Sequence, residues 1–117
     1  MRFLCVYKPG SPERTTPPTV EEQASMGKLI GEMAKAGVLL AAEGCLPSKF
    51  GARVRIDGGK YSITDGPFPE TKELISGMCM LQVKSKEEAI EWTKRFLAAV
   101  GEGQSELLQL HETPAAG

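Results

Sequence analysis

The sequence is poor in the residues that bind metals and build disulfide frameworks. Its 117 residues include a single histidine, His111, and three cysteines, Cys5, Cys45 and Cys79, which lie far apart and form no C-x-x-C pair. Zinc sites use cysteine and histidine ligands at short, recurrent spacings. The chain also has no phosphate-binding loop and no nucleotide-binding fingerprint. We therefore expect no metal and no cofactor, and we interpret the cysteines as reduced thiols that pack like small apolar side chains.

Long apolar runs and an excess of one charge are also missing. No apolar run approaches the roughly 20 residues that span a bilayer, and the first residues, M-R-F-L-C-V-Y-K, become polar too soon for a signal peptide. The 14 Lys and Arg residues and the 15 Asp and Glu residues leave a net charge of −1, with no basic block. These features predict a cytoplasmic protein that binds neither nucleic acid nor a membrane. The length predicts one domain, residues 1–117.

Hydrophobic periodicity predicts alternating strands and helices. Arg2 to Lys8 and Ser76 to Lys84 read as strands that are apolar on both faces, and the run Val38 to Ala42 reads as a buried central strand. Helices are predicted to begin after Thr19 and Ser85, each of which has a glutamate three residues later, as in a capping box. Ser105 to Glu112 is predicted to be the last strand.

A hairpin is inserted between the two halves of this pattern. Arg53 to Asp57 and Lys60 to Thr64 flank Gly58-Gly59, a strong two-residue turn signal. The order of elements predicts an α+β fold: a ferredoxin-like antiparallel sheet with two helices on one face. Because the strands are apolar on both faces, we expect a second copy to cover the other face and form a homodimer, a dimeric α/β barrel.

The stretch Thr64 to Gly77, T-D-G-P-F-P-E-T-K-E-L-I-S-G, has no clear periodicity at its start. Pro67 and Pro69 push the residues before them toward extended geometry, which predicts a stiff hook with Asp65 at its base. A rigid loop that holds a carboxylate at a strand end can position chemistry. Aspartate is also a common turn residue, because it bonds to its own backbone. Both interpretations stay open.

Glu43 follows the apolar run V-L-L-A-A and is a second candidate carboxylate. A charge at the end of a strand also commonly faces water, so this alternative stays open as well. An apolar pocket lined by Phe3, Tyr7, Met78 and Met80 is a further possibility, although such residues are more often plain core.

The motif T-D-G-P-F-P-E-T-K-E, followed by a glycine-containing strand, resembles the signature of the DGPF subgroup of the YCII-related proteins. The second strand V-L-L-A-A-E-G, the glycine-rich hairpin and the helix start K-S-K-E-E-A-I-E-W are similar as well. The resemblance covers most of the chain, Arg2 to Glu112. It implies a dimeric ferredoxin-like barrel with an active site in its cleft.

The motif positions that the resemblance carries onto this sequence are Asp65, Gly66, Pro67, Phe68, Glu70, Lys72 and Glu73; Tyr7 and Glu43 are candidates from the strands instead. Asp65 is the candidate catalytic carboxylate. The candidate binding residues are Tyr7, Glu43, Phe68, Glu70, Lys72 and Glu73. Related proteins outside the subgroup are suggested to use a histidine with an aspartate, and this chain has no histidine near its first strand or its hook. Asp65 would then act with Lys72, Glu43 or Tyr7, or would have no catalytic role.

Three functions follow from these observations. The first is an enzyme or small-molecule binder in which a carboxylate, Asp65, works in a cleft near the dimer interface, where an apolar setting can move its pKa toward the working pH. The second is a non-catalytic binding or regulatory module, which the resemblance associates with alternative sigma-factor systems. The third is a cofactor-free oxygenase of the dimeric barrel type. The sequence names no substrate.

Overall fold

The computed structural model describes residues 1–10, 12–13, 16–70 and 73–112. These residues form six strands and two α-helices, together with a short 3-10 helix at Ser48–Phe50. In chain order they are β1 (Arg2–Lys8), α1 (Val20–Lys35), β2 (Leu39–Gly44), β3 (Ala52–Asp57), β4 (Lys60–Asp65), β5 (Gly77–Gln82), α2 (Lys86–Val100) and β6 (Gln104–Gln109). The tail predicted after Glu112 lies outside the described residues.

Four strands form one antiparallel sheet in the order β2-β5-β1-β6. The predicted α+β class is confirmed, and the antiparallel sheet with α1 and α2 is compatible with a ferredoxin-like fold. One element differs from its prediction: β2 is an edge strand and is largely exposed, not a buried central strand. The apolar run did not predict burial correctly, because Leu39 packs against the core whereas Leu40 is 50% exposed.

α1 begins and ends as the sequence predicts. The hydroxyl of Thr19 accepts a hydrogen bond from the backbone N–H of Glu22 at 3.1 Å, and Gly37 takes a left-handed conformation just past the helix. Gly27 and Gly31 of α1 are not sites of close packing, because a Cβ at either position would meet nothing within 4 Å.

The core lies between the two helices and the sheet. Ser85 caps α2 through a 3.1 Å hydrogen bond from the N–H of Glu88, and Gly101 ends the helix in a left-handed conformation. The buried cluster joins both helices to β1, β5 and the residues beside them: Phe3, Leu29, Met33, Val38, Leu81, Val83 and Ala89. Burial of these side chains is the main force that holds the helices on this face of the sheet.

The hairpin β3–β4 forms a separate two-stranded sheet. Gly58 and Gly59 both have positive φ, +57° and +80°, as a two-residue turn between twisted strands requires. The register pairs Val54 with Ile63 and Ile56 with Tyr61, so four large apolar side chains share one face. Each of the four is between 59% and 74% exposed.

The sheet face opposite the helices is apolar at its centre. Because side chains alternate along a strand, Phe3, Cys5 and Tyr7 point toward the helices and the residues between them point away. We call the second surface the open face and define it by its apolar members: Leu4, Val6, Met78, Met80 and Leu108. Tyr7 is therefore on the helix-covered face, whereas Met80 is on the open face. Within the described residues, no helix is long and apolar enough to cross a membrane.

Candidate functional site

The hook begins where β4 ends. Asp65 is the last residue of β4 and lies opposite Ala52. The N–H of Gly66 donates to the carbonyl of Gly51 at 3.0 Å, and the peptide bond between Gly66 and Pro67 is cis. A Cβ on residue 66 would overlap the carbonyl oxygen of Ser48, so glycine is required where the hook lies against the 3-10 helix.

Ser48 connects the hook to the loop after β1. The carboxylate of Glu13 accepts two hydrogen bonds from Ser48, one from its backbone N–H and one from its hydroxyl, each at 2.6 Å. The hydroxyl oxygen of Ser48 in turn accepts the N–H of Phe68 at 3.0 Å. Bonds to a carboxylate are stronger than neutral ones, so this chain of contacts fixes the hook to the body. The sequence placed Glu13 in a loop and gave no sign of Ser48 as its partner.

Two of the predicted binding residues, Phe68 and Glu70, also attach the hook to the protein. The guanidinium of Arg53 lies 4.3 Å from the centre of the Phe68 ring, and it forms a 3.3 Å ion pair with Glu70. The backbone N–H of Glu70 and then the Arg53 guanidinium hold the pKa of the Glu70 carboxyl below its usual value. Phe68 and Glu70 thus hold the hook against the hairpin.

Asp65 differs from its neighbours in the hook. Its side chain is exposed, and no described residue forms a hydrogen bond or an ion pair with its carboxylate. The fold therefore leaves this charge available to a ligand or a partner, in contrast to Glu13 and Glu70.

The remaining hook residues lead toward the open face. Lys72 lies outside the described residues. Glu73 forms a 3.2 Å ion pair with Lys8, whose ammonium also contacts Glu106 at 2.9 Å. The hydrogen bonds from Lys8 to Glu106 and then to Glu73 raise the pKa of Lys8. At one end of the open face, Lys8 thus bridges two carboxylates, and the group keeps a net charge of −1.

A cavity of about 300 Å³ lies between the sheet and the two helices. The described residues that line it come from both layers and, apart from Glu43, are uncharged. They include Met26, Leu29, Ile30, Met33, Leu39, Ala42, Trp92, Phe96 and Val100. The volume is at the lower end of the range of about 300–1,000 Å³ that is typical of ligand pockets.

Tyr7 and Glu43 are both among the residues that line this cavity. The hydroxyl of Tyr7 donates to the carbonyl of Glu102 at 2.7 Å, and its ring meets Phe96 edge to face, with 5.0 Å between the ring centres. Burial, and after it the nearby Glu102 carboxylate, raise the pKa of Tyr7, so the phenol stays neutral. The hydroxyl oxygen retains a lone pair that can accept a hydrogen bond.

The structure therefore separates the predicted site residues into groups. Tyr7 and Glu43 lie at the cavity, whereas Asp65, Phe68 and Glu70 line neither it nor a wider groove of about 1100 Å³ beside it. This separation was not visible in the sequence, because it depends on which elements the hook packs against.

Two cavity residues were not recognised as site residues in the sequence. Cys5 and Cys79 occupy directly opposite positions on β1 and β5 and both line the cavity. The alternation of apolar residues placed each on one face of its strand, but the register between the strands is not readable from the sequence. Among the described residues, no group of three or more His, Cys, Asp or Glu side chains could hold a metal ion.

Comparison with known proteins gives a family match. The sequence profile of the YCII-related domain matches residues 1–104. No curated protein matches the chain. A solved structure to which the chain is similar is 5-chloro-2-hydroxyhydroquinone dehydrochlorinase (TftG) from Burkholderia phenoliruptrix AC1100, in complex with 2,5-dihydroxybenzoquinone. The TM-score is 0.45 and the identity 12%, over 97% of this chain and 96% of that chain.

Proposed function

Because the chain belongs to the YCII-related family, we propose that residues 1–117 are one such domain and that it binds a small molecule in the cavity beneath α1 and α2. The observation that carries the proposal is the cavity itself, which combines an apolar lining with the hydroxyl of Tyr7. Binding sites for small molecules are mostly apolar and contain a few polar groups that orient the ligand.

The lining defines the class of ligand. Side chains of Met26, Leu29 and Trp92 favour an apolar body, and a volume of about 300 Å³ admits only a small one. Tyr7 offers a hydroxyl oxygen that accepts a hydrogen bond, whereas the exposed Glu43 pairs with Met78 and so lies at the rim, on the open-face side of β2. The ligand is therefore a small, largely apolar molecule that carries a hydrogen-bond donor, such as a hydroxyl group.

A second candidate function is acid–base catalysis by Asp65, and the exposed, unpaired carboxylate of Asp65 favours it. We propose that the chain is of the DGPF subgroup and that its hook presents Asp65 at a cleft that a second copy completes. Neither cavity of the single chain includes Asp65, so the second copy is an essential part of this candidate. Lys72 and Glu73 remain candidate binding residues for the same cleft.

The second copy is proposed to pack on the open face. Leu108 is 51% exposed, and Leu4, Val6, Met78 and Met80 are only half-buried although they lie at the centre of the sheet. Lys8 pairs with both Glu73 and Glu106 at the end of this surface, so its ammonium would not be buried unpaired between two copies, although the three groups together carry a net charge of −1. A two-fold pair of such faces is a dimeric α/β barrel.

The other two functions have less support. A cofactor-free oxygenase was expected to use one pocket lined by Phe3, Tyr7, Met78 and Met80. Tyr7 lines the cavity and Met78 borders it, but Phe3 belongs to the core cluster, and both Met78 and Met80 lie on the open face. A regulatory module in sigma-factor systems stays a prediction, and no observation favours it over ligand binding.

A thermal-shift screen of the purified full chain against a metabolite library tests the binding function. We expect stabilisation by small apolar compounds with a hydrogen-bond donor, because a ligand at about 100 times its Kd adds about 2.7 kcal/mol to the free energy of unfolding. Methyl NMR then locates each stabilising compound. Signals of Met26 and Met33 should shift while that of Met1 does not; shifts at Met1 alone, or none at Met26 and Met33, would contradict binding in the cavity.

A further inference from the structure

Two thiols face each other on the wall of the cavity. Cys5 of β1 and Cys79 of β5 are directly opposite in an antiparallel pair, on the side that faces the helices, and both are free. Opposite residues in such a pair have Cα atoms about 4.5–5.5 Å apart, which lies within the range of about 4.4–6.8 Å that a disulfide spans. The spacing of the two strands at this position therefore suits a disulfide.

The surroundings of Cys5 favour its thiolate. The S–H group of Cys79 donates to the Cys5 sulfur and, against the opposing effect of burial, lowers the pKa of Cys5 to about 6; Ser105 contributes in the same direction. The Thr93 hydroxyl oxygen lies 4.0 Å from the Cys5 sulfur, but it donates its proton to the carbonyl of Ala89 at 2.8 Å. The same contact with Cys5, followed by burial, raises the pKa of Cys79. One thiol of the pair is thus activated and the other keeps its proton.

The hydroxyl of Ser105 lies beside the same sulfur and is consistent with a thiolate there. Its oxygen is buried and has no hydrogen-bond partner among the described residues. Buried polar groups without partners are uncommon, and each one calls for an explanation. A negatively charged sulfur at Cys5 would accept the Ser105 proton and remove the anomaly. A histidine base is not required, because hydrogen-bond donors stabilise the thiolate of Cys5.

We propose that Cys5 and Cys79 form a redox-active pair, in which a small uncharged hydroperoxide oxidises Cys5 and Cys79 then closes a disulfide. The oxidant is uncharged because the described lining of the cavity is apolar apart from Glu43, Tyr7 and a few small polar residues. The pair gives the cavity a reactive centre as well as a binding surface.

The chemistry balances in two steps. The Cys5 thiolate attacks the terminal oxygen of the hydroperoxide; the O–O bond breaks, an S–O bond forms, and the alkoxide takes a proton and leaves as an alcohol. The Cys79 sulfur then attacks the sulfur of the Cys5 sulfenic acid. An S–S bond forms, the S–O bond breaks, and the hydroxide leaves as water with the proton of Cys79. Two thiols and one hydroperoxide thus give a disulfide, an alcohol and water.

The test uses the full, pre-reduced chain and tert-butyl hydroperoxide as the probe. In a Cys45→Ser background, which removes the exposed third thiol, the protein should lose both remaining thiols and yield a cross-linked peptide that joins Cys5 to Cys79. In the unmodified chain, Cys45 is an internal reference. We expect Cys5 to be oxidised on the order of tenfold faster than Cys45, because an unperturbed thiol with a pKa of about 8.5 is only a few per cent thiolate at neutral pH.

Single substitutions in the Cys45→Ser background assign the two roles. Cys79→Ser should accumulate a sulfenic acid at Cys5, which dimedone traps, and Cys5→Ser should leave Cys79 reduced. The proposal is overturned if Cys5 reacts more slowly than Cys45, if the cross-link forms only after unfolding, or if Cys79→Ser traps no sulfenic acid. If a variant fails to fold, the relative oxidation rates of Cys5 and Cys45 in the unmodified chain still test the proposal.

This inference rests on the proposed function only in requiring that a small molecule can enter the cavity. The two can fail separately. If library compounds shift the Met26 and Met33 signals while no disulfide forms, binding stands and the redox pair is wrong. If the disulfide forms while no compound binds, the redox pair stands and the binding function is wrong.

Discussion

Gly66 and Asp65 are adjacent in the hook, yet the structure uses them differently. Gly66 lies so close to the Ser48 carbonyl that no side chain fits, whereas Asp65 is exposed. Phe68 and Glu70 are engaged by Ser48 and Arg53. At the scale of single residues, most of the motif therefore attaches the hook to the rest of the protein, and the carboxylate of Asp65 takes no part in that attachment.

Gly66→Ala should destabilise the protein, because the new methyl group would overlap the Ser48 carbonyl oxygen. Overpacking of this kind costs about 1–3 kcal/mol. The matched control is Gly27→Ala, in the middle of α1 with open space around it, which should raise the free energy of unfolding by about 0.5–1 kcal/mol. Denaturant melts measure the free energy of unfolding of both variants. Equal stability of Gly66→Ala and the unmodified protein would contradict the close contact between Gly66 and the Ser48 carbonyl.

Asp65→Asn should leave the free energy of unfolding within about 0.5 kcal/mol of the original, because the carboxylate is exposed and makes no contact with a described residue. Asparagine keeps the shape and turn-forming capacity of aspartate and removes the charge. If Asp65 is catalytic, turnover of any substrate found by the screen should be lost. A loss of stability above about 1.5 kcal/mol with the ligand response intact would instead make Asp65 a structural residue.

Residue-scale features that depend on local sequence were predictable, and those that depend on distant contacts were not. The caps at Thr19 and Ser85 and the turn at Gly58-Gly59 follow from short-range rules, and the structure has all three. The bond of Glu13 to Ser48, 35 residues away, and the register that places Cys5 opposite Cys79 arise only when the chain has folded.

The hairpin and the four-stranded sheet differ in the packing contacts that stabilise them. β3 and β4 pair only with each other, and their apolar face is open to solvent. The strands of the main sheet are held by the helices packed across one face. The sequence predicted the hairpin itself because its turn signal is strong. Its separation from the sheet was not predictable, since alternation of apolar residues does not tell which surface they meet.

Substitutions in the two elements should therefore differ in cost. Ile63→Thr, at a position 70% exposed, should change the free energy of unfolding by no more than about 0.5 kcal/mol. Leu81→Ala, at a position 1% exposed, should cost about 2–5 kcal/mol because it leaves a cavity in the core. Comparable losses for the two variants in denaturant melts would mean that the hairpin face is packed in solution.

At the scale of the whole molecule, the sheet is covered on one side only. The helices bury Phe3 and Leu81, and the open face presents Met80 and Leu108 on the other side. The sequence predicted this imbalance correctly from strands that are apolar on both faces. It could not tell which of Tyr7 and Met80 meets the helices, because strands that are apolar on both faces give no sign of which alternate residues do so.

The chain should be a dimer at micromolar concentration in light scattering, and Met80→Glu should make it a monomer, because the substitution would bury an unpaired charge between two sheets. Ala98→Glu adds the same charge on the exposed side of α2 and should leave the dimer intact. An unmodified protein that is monomeric, or a Met80→Glu variant that remains dimeric, would contradict pairing through the open face.

The central claim is that the cavity beneath α1 and α2 is a binding site, and filling the cavity tests it most directly. Ala42 lines the cavity, so Ala42→Leu would occupy part of its volume of about 300 Å³. Ala98→Leu makes the same change on the exposed surface of α2. The measurement is the Kd, by titration calorimetry, of the compound that stabilises the unmodified protein most. We predict binding at least about tenfold weaker to Ala42→Leu, equivalent to about 1.4 kcal/mol, and unchanged binding to Ala98→Leu; equal affinity for all three proteins would contradict the claim.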